Sequence, residues 1–204
     1  MQNKLSMKDF VINLLKTNLS EFYYYHNYEH TLYVIEKAEE IGFHEKCTNE
    51  ELELVTIAAM WHDTGYIKTY KDHEAESCKL ARQYLPGYGV PDADIAKICE
   101  MIIATKIPQL PKTKLEEILA DADLEYLGSS YFEIKSDKLF NELQHLNPSL
   151  TLDEWNIAQI SFLQNHHYFT GFCKENREPI KQMYLNNWHM VYNKLRWKVL
   201  LQIL

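Results

Sequence analysis

The chain has 204 residues, of which 46% are hydrophobic and 25% are charged, and its formal net charge at pH 7 is −8. These proportions are those of an ordinary globular protein, and the acidic balance argues against a broad nucleic-acid-binding surface, which needs clustered lysines and arginines. Six glycines and six prolines leave little material for linkers. We therefore predict one domain spanning residues 1–204, without a nucleic-acid polymer as partner.

The cysteines and the first residues indicate a compartment. The four cysteines are scattered, with no Cys-x-x-Cys pair, which favours free thiols in a reducing cytoplasm over a disulfide framework. The stretch 1–20 is interrupted by Lys4, Lys8, Asp9 and Lys16, so we predict neither a signal peptide nor a membrane span there. The expected location is cytoplasmic.

No segment shows the sustained alternation of a β-strand, and we predict an all-α helical bundle. In chain order, the first helix covers residues 9–19, the second ends at Gly42, and the third runs over residues 52–61 and is apolar on nearly every side. A helix of that third kind is normally buried. Further predicted helices begin at Asp72, at Asp92 or Asp94, near Leu115, at Tyr131, at Leu152 and at Pro179.

The last predicted helix covers residues 179–204 and is rich in Met, Trp, Tyr and Leu at helical spacing. We interpret it as a closing helix of the core or as the seam of a homodimer. Charged and amide side chains interrupt any lipid-facing run, so no membrane role is expected. Residues 131–204 are predicted to pack on a core formed by residues 23–130.

The doublet His62-Asp63 follows the apolar third helix, where Gly65 is expected to end it. An unpaired charge at the end of a buried helix is very costly. The two side chains therefore need partners, and either another ionisable group or a metal ion would satisfy them.

His30 shares a helical line with Val34, Ala38 and Ile41, so it lies at the head of the inward face of the second helix. It is either a metal ligand or a core histidine that donates a hydrogen bond to a backbone carbonyl.

The pair Asp121 and Asp123 falls on two different faces if the helix from residue 115 is unbroken. Asp121 joins Glu117 and Glu125 in a row expected to face water, whereas Asp123 lies between apolar neighbours. A carboxylate on an apolar face is the better ligand candidate. We prefer Asp123 as a ligand and keep Asp121 as the alternative and as a candidate catalytic residue.

Four groups are thus expected to point inward: His30, His62, Asp63 and Asp123. Two imidazoles and two carboxylates suit one divalent ion, with Mn, Fe, Ni, Zn, Co and Mg all open. One shared ion explains all four positions together, where separate structural roles would need four explanations.

Three stretches carry these residues in order: Tyr25-His26-Asn27-Tyr28-Glu29-His30-Thr31, His62-Asp63-Thr64-Gly65 and Leu119-Ala120-Asp121-Ala122-Asp123-Leu124. With the later element His73-Glu74-Ala75-Glu76-Ser77, the chain resembles small bacterial proteins of the HD superfamily of metal-dependent phosphohydrolases, over roughly residues 23–130. The resemblance implies an all-helical fold that binds a divalent cation through His30, His62, Asp63 and the last motif aspartate, best matched by Asp123. Members with two metals carry extra histidines between the doublet and that aspartate, where this chain has His73 alone, so a single ion is expected.

Several other polar residues are candidates for a role beside the metal. His73 and Glu74 could orient ligands or move a proton, or they could simply form an ordinary helix N-terminus. His26 lies four residues before His30 and is expected to face the same cavity as a substrate-binding residue. Arg177 and Lys181 are candidate phosphate-binding residues at the start of the last helix, the alternative being plain solvation at the surface.

The leading prediction of function is the hydrolysis of a small phosphate ester, a nucleotide in the first place, by a phosphomonoesterase or a phosphodiesterase. A non-haem iron oxygenase is a second hypothesis, with His166-His167 as a source of further ligands, although that pair is better explained as a helix end packed on aromatic residues. A non-catalytic sensor that binds a nucleotide is the third.

Overall fold

The computed structural model describes residues 2–188, and within them the fold is all-α, with no strand, as predicted. The helices are α1 Gln2–Asn18, α2 Tyr28–His44, α3 Asn49–Trp61, α4 His73–Tyr84, α5 Asp92–Ala104, α6 Lys114–Asp123, α7 Phe132–Leu146, α8 Leu152–Asn165, α9 Gly171–Asn176 and a helical run α10 at residues 178–188. Single 3-10 turns lie at Thr64–Ile67, Leu85–Tyr88 and Glu125–Gly128.

Side-chain caps fix where several of these helices begin. The hydroxyl of Thr48 accepts a hydrogen bond from the amide of Glu51, whose carboxylate accepts the amide of Thr48 in return. Thr151 and Glu154 repeat this capping box on α8. Asn27 accepts the amide of Glu29 and so starts α2 just before its first inward residue.

Asp72 precedes α4 as expected but does not cap it. Its backbone is left-handed, with φ of 57°, and its side chain makes no capping hydrogen bond. The carboxylate binds the ammonium group of Lys106 instead. The sequence pattern therefore predicts the start of α4 correctly, but its prediction that the Asp72 side chain caps the helix is wrong.

Two predicted glycine stops have a different explanation. Gly42 does not end α2, which continues to His44, and a β-carbon at Gly42 would lie 2.8 Å from Cδ1 of Leu52. Gly65 lies inside the 3-10 turn that follows α3, and a β-carbon there would lie 1.9 Å from the backbone oxygen of His73. Both glycines permit close packing between helices.

The buried hydrophobic residues form two clusters. The larger one joins α1 to α6 and contains Val11, Val34, Ala58, Ile98 and Ile118. The smaller one lies around α7, α8 and α10 and includes Tyr25, Leu124, Phe132, Leu163 and Leu185. Helices α2, α3, α5 and α6 pack against one another in the first cluster. The ends of α2, α3 and α6 therefore meet where the two clusters adjoin.

Residues 178–188 pack on the smaller cluster through Leu185, Tyr184 and Trp188. The remainder of the predicted closing helix, residues 189–204, lies outside the described residues, as does any dimer seam there. A single domain over residues 1–204 stays a prediction. Within the described residues, each helix is either too short or too polar to cross a membrane.

Candidate metal centre and adjoining pocket

Three helix ends bring His30, His62, Asp63 and Asp123 together. His30 lies in the first turn of α2, His62 and Asp63 directly follow α3, and Asp123 is the last residue of α6. His30 and His62 are 3% and 0% exposed, and Asp63 is 6% exposed. The inward face predicted for His30 is therefore present, with Val34, Ala38 and Ile41 buried behind it.

The donor atoms of His30, His62 and Asp123 all lie within 4.8 Å of one another, and Oδ2 of Asp63 lies beside both imidazoles. Nε2 of His30 lies 2.9 Å from Oδ1 of Asp123, 3.4 Å from Oδ2 of Asp63 and 3.5 Å from Nε2 of His62. Nε2 of His62 lies 3.2 Å from Oδ2 of Asp63 and 3.6 Å from Oδ1 of Asp123. Ligand atoms bound at about 2.1 Å to a common ion lie roughly 3 Å apart. The spacing therefore fits a single cation.

Two further details fit a metal ion in particular. Oδ2 of Asp63 is buried and has no hydrogen-bond partner among the described residues, although it faces both imidazoles. Nδ1 of His62 donates to the carbonyl of Ala59 at 2.9 Å, so the neutral form of this imidazole directs the lone pair of Nε2 at the cluster. A mixed set of imidazole nitrogens and carboxylate oxygens is a normal one for a divalent transition metal.

The electrostatics show how strongly this cluster attracts positive charge. Burial lowers the pKa of His30 to about 4, which keeps its imidazole neutral at pH 7. Burial opposes the charge on Asp63, but His62 and His73 hold the pKa of that carboxyl well below its usual range. Burial also opposes protonation of His62, but Asp63 and Asp123 outweigh it and raise the pKa of that imidazole. The buried carboxylate of Asp63 and the partly buried one of Asp123 thus favour a positive charge beside them, as a proton or as a cation.

His73 and Glu74 lie next to the cluster, at the start of α4. Nε2 of His73 is 3.4 Å from Oδ1 of Asp63, so Asp63 turns one oxygen to the cluster and the other to His73. Nδ1 of His73 donates to the carbonyl of Tyr70, and its ring stacks on Tyr66 with centroids 3.8 Å apart. The close packing at Gly65 brings this helix start against the turn after α3.

His26 lies on the other side of the same tyrosine. Its ring stacks on Tyr66 with centroids 4.3 Å apart, and its Nδ1 is hydrogen-bonded to Glu142. The second oxygen of Glu142 accepts the amides of Tyr25 and His26 at 2.9 and 3.0 Å. Glu142, which is 1% exposed on α7, was not among the candidate residues. Its position between Leu139 and Leu146 on an apolar face is the sequence signal that marks it.

A pocket of about 340 Å³ opens beside the cluster. Its polar end contains both carboxylates of the cluster, and its other end is apolar. The lining residues are Tyr25, His26, Asp63, Tyr66, Tyr70, His73, Glu74, Thr105, Ile107, Asp123, Leu124, Tyr126, Leu139, Leu143, Trp155, Ala158, Gln159 and Phe162. His26, His73 and Glu74 all line this pocket.

Asp121 is not in this site, and the prediction that it faces water is wrong. It is 0% exposed, and its carboxylate accepts the amides of Phe169 and Thr170 at 2.9 and 2.8 Å and the Thr170 hydroxyl at 2.6 Å. Glu125, from the same predicted row, is also buried, because α6 stops at Asp123 and a 3-10 turn follows. Asp121 instead holds residues 166–170 in an extended path, which is why α8 ends at Asn165 and not at Phe169.

Arg177 and Lys181 are not at the pocket either. Arg177 binds Glu125 and Glu40, the latter at 3.0 Å. Lys181 is 0% exposed, is paired with Glu178 at 2.8 Å and donates to the carbonyl of His166. Neither residue lines the pocket, so neither is positioned to bind a phosphate group there. Lys181 is buried, so the alternative of a solvated surface residue is also wrong for it. His166, held beside Lys181, is likewise away from the cluster.

The comparisons with known proteins agree with this geometry. Residues 27–125 match the family model of the HD domain. A crystal structure of a predicted HD superfamily hydrolase from an uncultured Thermotogales bacterium superposes with a TM-score of 0.61 at 20% identity, covering 92% of each chain, which shows a shared fold. A search of curated protein sequences gave no match. The matched stretch, residues 27–125, contains all four residues of the cluster.

Proposed function

The chain is an HD-domain protein, and we propose that it hydrolyses a small phosphate ester with one divalent metal ion held by His30, His62, Asp63 and Asp123. The observation that supports this proposal is the close approach of the donor atoms of His30, His62 and Asp123, with Asp63 beside the two imidazoles, next to a pocket. Asp63 and Asp123 belong to both the cluster and the pocket wall, so a phosphoryl group in the pocket would lie against the ion. When bound there, a divalent ion supplies hydroxide from water near neutral pH and neutralises charge on the phosphoryl oxygen.

The residues around the cluster would orient the ligands and handle protons. His62 is fixed by its hydrogen bond to Ala59, and Asp63 is fixed by His73. His73 and Glu74 line the pocket together with Asp63 and Asp123, and in this proposal they would hold a proton near the oxygen that leaves the phosphorus atom. His26, which is held by Glu142, lines the pocket beside Tyr66 and would contact the substrate.

The leading substrate is a nucleotide. The pocket volume lies in the range of small-molecule sites, and tyrosines and a tryptophan line it, which suits a flat organic group. Both a phosphomonoester and a phosphodiester are compatible with the proposal. The donor set suits Mn, Fe, Ni, Zn, Co or Mg.

The test is elemental analysis of the purified protein, followed by a panel of phosphomonoesters and phosphodiesters with added Mn, Co, Ni and Mg. We expect a stoichiometric divalent metal and turnover of at least one ester. His62→Ala should lose both, whereas Asp121→Ala, changed two residues from a ligand, should keep the metal.

Three results would contradict the proposal. Metal-free protein without turnover of any ester would remove its basis. Oxygen consumption that depends on bound iron would favour an HD-type oxygenase. Tight binding of a nucleotide without turnover of any ester would favour a sensor.

A further inference from the structure

The charged groups that line the pocket are nearly all acidic. Asp63, Glu74 and Asp123 contribute carboxylates, and within residues 2–188 no lysine or arginine lines the cavity. His26 and His73 are the lining groups that can carry a positive charge, and each already faces a carboxylate, Glu142 and Asp63 respectively.

The basic residues nearby are engaged elsewhere. Lys135 places its ammonium 3.4 Å from the ring centroid of Tyr33, with the Tyr25 and Tyr126 rings at 5.7 and 5.6 Å, and it does not line the cavity. Lys106 pairs with Asp72. Arg177 and Lys181 have the ion pairs described above. Lys135 interacts electrostatically with His30 and Asp123 from behind these rings, but among the described residues no lysine or arginine lines the pocket itself, where a second or third phosphate group would lie.

This charge balance limits the substrate. A single divalent ion offsets the two carboxylates that hold it, and a phosphoryl group adds roughly two negative charges per terminal phosphate. Sites for di- and triphosphates surround those groups with lysine, arginine and further cations. Here a longer phosphate chain would instead meet Glu74, beside which the one group able to carry a positive charge among the lining residues is His73, at 3.7 Å.

The far wall of the pocket indicates the organic part of the substrate. Leu139, Leu143, Trp155 and Phe162 give it an apolar surface from α7 and α8. Gln159 lies in the same wall and is 6% exposed, and its Nε2 donates to the hydroxyl of Ser136. Oε1 of Gln159 accepts no hydrogen bond from the described residues. Because Gln159 lines the pocket and its Nε2 is already engaged with Ser136, its Oε1 is left as an acceptor for a ligand N–H or O–H.

We propose that the pocket selects phosphate esters of low charge, monoesters or diesters and not polyphosphates, whose organic group is flat, apolar and carries a hydrogen-bond donor for Gln159. This inference rests on the proposed function and narrows its substrate class. The juxtaposition that carries it is an acidic end that no lysine or arginine lines, together with an apolar wall in which Oε1 of Gln159 is available as an acceptor.

The first test is calorimetry on the metal-containing protein with hydrolysis-resistant methylene analogues of adenosine mono-, di- and triphosphate. We expect the monophosphate analogue to bind at least tenfold more tightly than the triphosphate analogue. Affinity that stays level or rises with the number of phosphates would overturn the charge argument. Monophosphate analogues of purine and pyrimidine nucleosides that all bind no more tightly than inorganic phosphate would overturn the apolar-wall argument.

A cation added to the pocket should change this preference. Ile107 lines the pocket and is 52% exposed, so Ile107→Lys should fold. The substitution should increase the affinity for the triphosphate analogue at least fivefold more than the affinity for the monophosphate analogue. Leu110→Lys is the matched control, because Leu110 is 73% exposed and does not line the pocket. An equal change in both variants would contradict the proposal.

The amide is tested with Gln159→Leu against two monophosphate analogues, one with the adenine amino group and one with unsubstituted purine. The substitution should weaken the amino analogue roughly fivefold and leave the purine analogue unchanged. Equal loss for both analogues, or none, would remove Gln159 from the proposal.

These measurements separate the inference from the proposed function. Efficient hydrolysis of triphosphates would contradict the inferred preference for low charge, whereas the proposed phosphohydrolase activity would stand. A monophosphate analogue that binds as expected, with no ester hydrolysed, would sink the hydrolase and leave the binding preference.

Discussion

Asp121 and Asp123 are separated by one alanine, yet they belong to two different regions of the molecule. Asp123 ends α6 beside two imidazoles and the pocket. Asp121 points into the segment 166–170, where three hydrogen-bond donors of Phe169 and Thr170 satisfy it. Asp121 is fully buried and Asp123 is only partly buried, so burial alone does not identify a metal ligand. The difference lies in their partners: imidazoles that can share a cation in one case, and fixed backbone amides in the other.

The largest expected effect is on the Asp123 side. Asp123→Ala removes a donor atom that lies within 3.6 Å of both imidazoles, and we expect activity to fall by at least about a thousandfold with loss of bound metal. The measurements are kcat on the best ester of the panel and metal content by elemental analysis. A variant that keeps both would exclude Asp123 as a ligand.

On the Asp121 side the expected loss is in stability. Asp121→Ala leaves the buried amides of Phe169 and Thr170 without an acceptor, which should lower the free energy of unfolding by about 3 kcal/mol. Denaturant unfolding measures this change, and metal content should stay at the level of the unaltered protein. Metal loss in the folded variant would place Asp121 in the cluster and contradict the comparison.

The two regions should also respond to pH with opposite signs. Burial raises the pKa of Asp121 to about 6, so this carboxyl is more easily protonated in the folded state and its contribution to stability falls as pH rises from about 4 to 6, by at most about 3 kcal/mol. His30 and His62 hold the pKa of Asp123 below its usual value against the effect of burial, so its contribution is present above pH 4 and is lost as pH falls. In metal-free protein, Asp121→Asn should reduce the decline between pH 4 and 6, and an unchanged profile would contradict the raised pKa.

A smaller effect is expected at His73, which contacts the cluster through Asp63. His73→Gln should lower kcat by about 10- to 100-fold and weaken metal affinity while leaving the fold intact. Steady-state kinetics and metal titration measure the two quantities. Glu76→Gln, on the same helix and not lining the pocket, is the control. Equal activity of the two variants would assign His73 to the helix start alone.

The smallest expected effect on activity is at Arg177, which was a candidate for binding phosphate. Because it pairs with Glu125 and Glu40 away from the pocket, Arg177→Gln should leave KM unchanged and lower the free energy of unfolding by about 1 to 3 kcal/mol. A rise in KM without loss of stability would return Arg177 to the substrate site.

Local sequence patterns predicted the fold class and the four residues of the cluster, since helical phase, an apolar helix and an ordered motif are all visible in a single sequence. His30 is the clearest case, because the line through Val34, Ala38 and Ile41 alone places it inward. The helix that favours Asp123 as a ligand does extend to residue 123. The same helical periodicity predicts that Asp121 and Glu125 face water, and this is wrong, because both are buried.

The remaining errors concern contacts between distant parts of the chain. Nothing near Asp121 reveals that Phe169 and Thr170 will meet it, and nothing near Arg177 reveals Glu40. The apolar wall escaped notice for a related reason, because Trp155 and Phe162 have the spacing of ordinary core residues. Their place in the pocket depends on how α8 packs against the metal-binding half.

The carboxylate of Glu142 on α7 connects the apolar wall of the pocket to the residues that precede α2. Glu142 accepts hydrogen bonds from the amides of Tyr25 and His26, which lie just before the helix that carries His30. On α7 it is next to Leu143 and one turn after Leu139, two residues of the apolar wall. A ligand that displaced α7 would therefore also displace Tyr25 and His26, which precede the helix that carries His30. The fit of the organic group could in this way be transmitted to the reaction centre as a change in alignment, and a poorly fitting ester would be penalised in turnover even when it binds.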